Sequence, residues 1–119
     1  MKEQLLHRTR IFAHKGVDVA LQLPNTYLGN HIKAQLVRAS TSVGSNYRAA
    51  CLGQSKRAFV AKLSIVIEEV DECVFWIQYA IDRNLLLDSE SKNTLKEAKE
   101  LTSIFVASRK TISTQLNNK

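Results

Sequence analysis

SKRAFVAKLSIVIEEVDECVFWIQYAIDR, residues 55–83, is the stretch whose reading decides the fold. Phe59, Leu63, Val66, Val70, Cys73 and Ile77 recur at alternating four- and three-residue spacing, the period of one helix face. Ser55 stands where an N-cap is needed, and its hydroxyl can accept from the first free backbone N–H groups. Twenty-nine residues at about 1.5 Å each give a helix of roughly 43 Å. A second stripe, Val60, Ile67, Val74 and Ile81, runs beside the first, with Phe75, Trp76 and Tyr79 beyond it. That is more apolar face than three partner helices need, which predicts a subunit interface at Phe75, Trp76 and Tyr79.

Working outward, a helix over residues 31–52 places Ile32, Leu36, Ala39, Val43, Tyr47 and Ala50 on one face, with Asn30 as its expected cap. Its middle, Ala39 to Ser45, has poor helix propensity, so packing must hold it, and its small residues admit a close neighbour. Gly53 is the expected left-handed stop. Before it, a first helix over residues 4–23 carries Leu5, Phe12 and Val19, and Pro24 ends it. After Asn84, a fourth helix capped by Asp88 or Ser89 carries Leu95, Ala98, Leu101, Phe105 and Ile112, and the tail Asn117–Lys119 should fray. Four helices with short links make an all-α, up-down-up-down antiparallel bundle over one domain, residues 1–119. With only 4 Gly and 1 Pro in 119 residues, turn signals are too few for a many-stranded fold.

The net charge is +6, and it is uneven. Residues 1–62 carry ten Lys/Arg against Glu3 and Asp18, whereas residues 63–119 carry seven against nine Asp/Glu. The asymmetry points to a polyanionic partner or to complementary surfaces in an oligomer. Lys56 and Arg57 occupy a first helical turn, where the dipole disfavours cations. With Arg48 they form a basic corner suited to an anion, or an exposed solubility patch. In the acidic run Glu68–Glu72, Glu69 and Glu72 share a face, with Lys62 and Arg38 as candidate cation partners; Arg38 is expected to meet Glu69 or Glu72 in a largely buried structural ion pair.

Catalytic and metal signals are missing. No acid is followed by His at the Glu-x-x-His spacing of carboxylate-bridged metal pairs, and no phosphate-binding glycine loop occurs. The expectation is therefore no metal, no cofactor and no enzymatic activity. Cys51 and Cys73 read as buried free thiols, which fits a reducing cytoplasm, and no segment is apolar enough to span a bilayer. His7 and His14 read as solvated imidazoles, although Arg8 to His14 fits the short Arg-x(4–6)-His pattern of HEPN ribonucleases.

Leu23-Pro24-Asn25-Thr26, Gly29-Asn30, the run Arg38–Cys51, Ser55-Lys56, Phe59, Lys62-Leu63, Glu69–Glu72, Trp76 and Leu95–Leu101 closely resemble the proteins encoded by intervening sequences in bacterial 23S ribosomal RNA genes. The resemblance implies a four-helix bundle assembling as a ring-like homopentamer, without a catalytic residue. It also implies kinship with the accessory variability protein of diversity-generating retroelements, a basic pentamer that works with nucleic acid. Two departures stand out: Leu52-Gly53-Gln54 replaces a segment often Arg-rich in relatives, and Ala58 stands where they often carry an acid. The expected function is binding of RNA or a nucleoprotein through Arg48, Lys56 and Arg57. The competing expectation is a structural or protein-interaction module without nucleic-acid affinity.

Overall fold

The computed structural model describes residues 2–87 and 89–117, which form four helices: α1 (Lys2–Ala20), α2 (Tyr27–Cys51), α3 (Lys56–Asp82) and α4 (Ser89–Asn117). The Asp88 cap and the end of the tail, Asn118 and Lys119, lie outside the described residues. Consecutive helices pack side by side and α1 meets α4 more lightly, in a bundle 52 × 23 × 20 Å. Contacts fix the antiparallel register. Ala13 lies against Gly44 between α1 and α2, Tyr47 meets Phe59 between α2 and α3, and Arg109 reaches Ser64 between α4 and α3.

The main apolar stripes are buried as their spacing requires: Leu5, Phe12 and Val19; Ile32 to Ala50; Leu63 to Ile77; and Leu95 to Phe105. The second stripe of α3 has a different fate from the one expected. Ile67 is buried, and Val74 and Ile81 pack half-buried against the same core, so the bundle itself absorbs them. What remains exposed on α3 is Phe75, at 55%, with Ile65 at 39%.

Three helix ends differ from the sequence expectation. The first helix closes at Ala20, and Leu21 to Leu23 continue it only as a turn. The second begins four residues before His31. Thr26, not Asn30, is its cap: the Thr26 hydroxyl accepts from Gly29 N at 3.0 Å, and Asn30 instead donates its side chain to Asn25. Gly29 makes this cap possible, because a Cβ there would collide with the Pro24 carbonyl. Gly53 is not left-handed. Helix α2 ends instead by tightening, with the Leu52 and Gly53 N–H groups returning to Ala49 and Ala50. The one described non-glycine residue with positive φ is Asn84 (59°), which stops α3.

The weak-propensity middle of α2 is explained by its contact with α1. A Cβ on Gly16 would strike Ser40, and one on Gly44 would lie 3.3 Å from Ala13. The two helices thus approach closely where both present small residues, and close packing offsets the lost propensity.

Candidate nucleic-acid interface

The antiparallel topology turns a chain asymmetry into an axial one. One end of the bundle is built from the start of α1, the end of α2, the start of α3 and the end of α4. Divided at the helix midpoints, that half carries Lys2, Arg8, Arg10, Arg48, Lys56, Arg57, Lys62, Arg109 and Lys110 against only Glu3 and Glu68. The other half is nearly balanced, with seven Lys/Arg against eight described carboxylates.

Ion pairing sharpens the contrast. Among the described residues only Arg8 and Arg38 have a carboxylate within ion-pair distance. Arg8 bridges α1 to α4, donating to Glu97 at 2.6 and 3.0 Å and to Glu100 at 3.3 Å. The Glu97 hydrogen bond raises the Arg8 pKa further, against the effect of burial. Arg8 is therefore held by α4, while His14 lines the opposite, α1/α2 seam, so the Arg-x(4–6)-His pattern does not assemble one site. The other eight cations of the basic half are free of carboxylate partners among the described residues. Lys2 sits 5.1 Å over the Phe59 ring, Lys56 donates to Gln115, and Arg109 donates to Ser64.

The three residues of the expected basic corner all lie at this end, but not in one recess. Arg48 lines a groove between α1 and α2 with His7, Arg10, His14 and Leu52. Lys56 lines a separate recess with Lys2, Tyr47, Gly53 and Ile112, and Arg57 is exposed on the first turn of α3. Arg10, Lys62, Arg109 and Lys110 join them only through the helix register.

The family described as 23S rRNA-intervening sequence protein matches residues 2–107. The chain belongs to that family. A crystal structure of a protein of unknown function from the S23 ribosomal protein family of Bacteroides thetaiotaomicron VPI-5482 superposes with a TM-score of 0.81 at 24% identity, covering 89% of this chain and 98% of that one. It supports the fold. No curated protein matches the chain.

In this family member the structural ion pair links α2 to α3 and is double: Arg38 donates to Glu69 at 2.8 Å and also to Glu72. Glu72 additionally accepts from Trp76 Nε1 at 3.2 Å, and the Trp76 ring meets His31 edge-on at 5.5 Å. The expectation of a largely buried pair needs correction. The Arg38 side chain is 48% exposed, because it lies across the outer seam of the helix pair rather than inside it. Arg38→Ala is accordingly expected to cost about 1 kcal/mol rather than several, since water already screens the pair. Urea denaturation should show that loss shrinking as salt is raised. A loss unchanged by salt would mean that Arg38 acts through packing.

Of the aromatic trio, Phe75 is exposed, whereas Trp76 and Tyr79 pack half-buried against the core. Phe75 stacks on Tyr79 at 5.8 Å and meets Trp76 edge-on at 5.0 Å, so one continuous aromatic surface shows on α3. Cys73 is buried and its thiol is pushed up by burial, with Glu69 and Glu72 acting in the same direction, so it stays protonated; Cys51 is half-buried. Among the described residues, no helix is long and apolar enough to cross a membrane.

Proposed function

We propose that this protein is a non-enzymatic, cytoplasmic, self-associating bundle, a homopentamer, that holds RNA, alone or in a nucleoprotein, against its basic end. The observation that carries this reading is the axial charge: eight cations without carboxylate partners among the described residues share one end of the bundle. Stability does not ask for Lys56 and Arg57 in the first turn of α3, where the helix dipole opposes them. A phosphate backbone does, and several bundles in a ring would add their weak contacts. Arg48, Lys56 and Arg57 are the corner residues of this surface, joined by Arg10, Lys62 and Lys110.

Self-association rests on the aromatic surface of α3. Phe75 is half exposed beside Trp76 and Tyr79, and an apolar surface of that kind is stabilised when another protein covers it. The same surface favours the second reading, a protein-interaction module with no affinity for nucleic acid. Two measurements test the pair. Light scattering at micromolar concentration should give the mass of an oligomer, reduced by Phe75→Glu; a stable monomer would overturn self-association. Labelled single-stranded RNA should shift on a native gel at low salt and shift less with Lys56→Gln and Arg57→Gln together. An oligomer that shifts no RNA selects the second reading.

A further inference from the structure

We propose that Arg10 and Arg48 form a two-arm clamp for a phosphodiester of RNA in the groove between α1 and α2. The proposal rests on the RNA-binding reading and assigns that function a specific seat, on a different seam from Lys56 and Arg57.

Three seams of the bundle can be compared directly. Across α1/α4, Arg8 meets Glu97 and Glu100; across α2/α3, Arg38 meets Glu69 and Glu72. In both, an arginine spanning two helices is met by two carboxylates. Across α1/α2, an arginine faces another arginine. Gly44 lies opposite residues 10–13, since a Cβ on it would stand 4.0 Å from Arg10 Cα and 3.3 Å from Ala13 Cβ. Arg48 follows Gly44 by one turn, so Arg10 and Arg48 line one groove within about one turn of height, roughly 5 Å. Both are exposed, and neither has a carboxylate within ion-pair distance among the described residues. Glu3 is the single acid lining the groove.

Two like charges placed across a groove repel, and a protein stable on its own gains nothing from them. An anion between them removes the repulsion, and guanidinium forks match the geometry of phosphate oxygens. The floor suits a backbone. Gly44 and Ala13 let the two helices meet closely there, so the base of the groove between the arms is built of small residues, with Thr41 and Ser45 beside them. His7 and His14 extend the same groove along α1 with further N–H donors, giving a track longer than one phosphate.

The test is fluorescence anisotropy of a labelled single-stranded RNA with the full-length protein at low salt. Arg10→Gln and Arg48→Gln should each weaken binding about tenfold or more, the range of a hydrogen bond to a charged group. The double variant should lose little beyond the stronger single one, because a clamp works as a unit. Arg48→Lys, which keeps the charge but not the fork, should also bind weakly. Thermal melting of each variant should match the parent or, for the glutamine variants, rise slightly, since both side chains are exposed and the change relieves their repulsion. If the parent binds while the glutamine variants stay within about twofold of it, or Arg48→Lys binds as the parent does, the clamp is wrong and binding belongs to the rest of the basic end. If the parent binds no RNA, the RNA-binding reading fails and takes the clamp with it.

Discussion

Replacing Phe105 by alanine is expected to lower the folding free energy by about 3–5 kcal/mol, a large part of the total for a domain of this size. Phe105 is 1% exposed and packs at 5.2 Å on Tyr47, which in turn meets Phe59 edge-on at 6.4 Å. The stack joins α4 to α2 and α3 and ends at the Lys2 ammonium over Phe59. It is therefore the apolar prop beneath the basic end. Tyr47 cannot swing freely into the vacated space, because it is itself 1% exposed and packed against Phe59, and burial keeps its phenol neutral. The cavity should persist, which puts the cost at transfer plus lost contact rather than transfer alone. Chemical denaturation should show a lower midpoint with an unchanged slope. A loss below about 1 kcal/mol would mean that the helices collapse onto the gap and that the aromatic stack does not hold this end.

Much of this architecture was legible because the signals are local. Pro24 marks the end of the first segment, although α1 itself closes earlier, at Ala20, and the Ser55 hydroxyl accepts from Ala58 N as a serine before an apolar run should. The seven-residue spacing of Leu5, Phe12 and Val19 fixes the buried face of α1. One error arose where two residues competed for one role. Thr26 and Asn30 are both good caps, and Gly29, which must sit under the Pro24 carbonyl, decides for Thr26. Gly53 and Asn84 follow different helices and each could take a left-handed conformation: α2 closes without one by tightening its last turn, whereas α3 is stopped by Asn84 in it. The excess of apolar residues on α3 was visible, but its division was not. Whether Val74 and Ile81 face α4 or solvent depends on the tilt of a neighbouring helix, which no spacing within α3 encodes.

The candidate site divides in the same way. The partners Arg38, Glu69 and Glu72 could be named because α2 and α3 are consecutive and a short turn fixes their register. The exposure of that pair could not, since it depends on which side of the seam the arginine takes. Arg8 and Glu97 are 89 residues apart, and nothing near either residue announces the contact. The opposition of Arg10 and Arg48 was hidden for a related reason: it requires the α1/α2 register, which Ala13 and Gly44 set. The axial charge, by contrast, was within reach. Laying the charged residues along four alternating helices already gathers them at one end.

That gathering predicts the steepest response of the protein to its surroundings. Single-stranded nucleic acid gives a log–log slope of about −0.7 per phosphate contact, because each neutralised phosphate releases condensed counterion. Four contacts from one bundle would give a slope near −3, so raising salt from about 50 to about 200 mM should weaken binding roughly fifty-fold. Several bundles on one strand would steepen it further. Changing Lys56 and Arg57 to Gln should flatten the slope by about 1.4 if both touch phosphate. The same change should leave the bundle as stable as before or a few tenths of a kcal/mol more so, because it removes cations from the positive end of α3. This opposite movement of affinity and stability is the discriminating result. A surface shaped only for solubility would show neither a slope nor its loss, and a protein partner held by Phe75 would bind almost equally at both salt concentrations. A flat titration would therefore remove the basic end from the function and leave the aromatic face of α3 as the surface that acts.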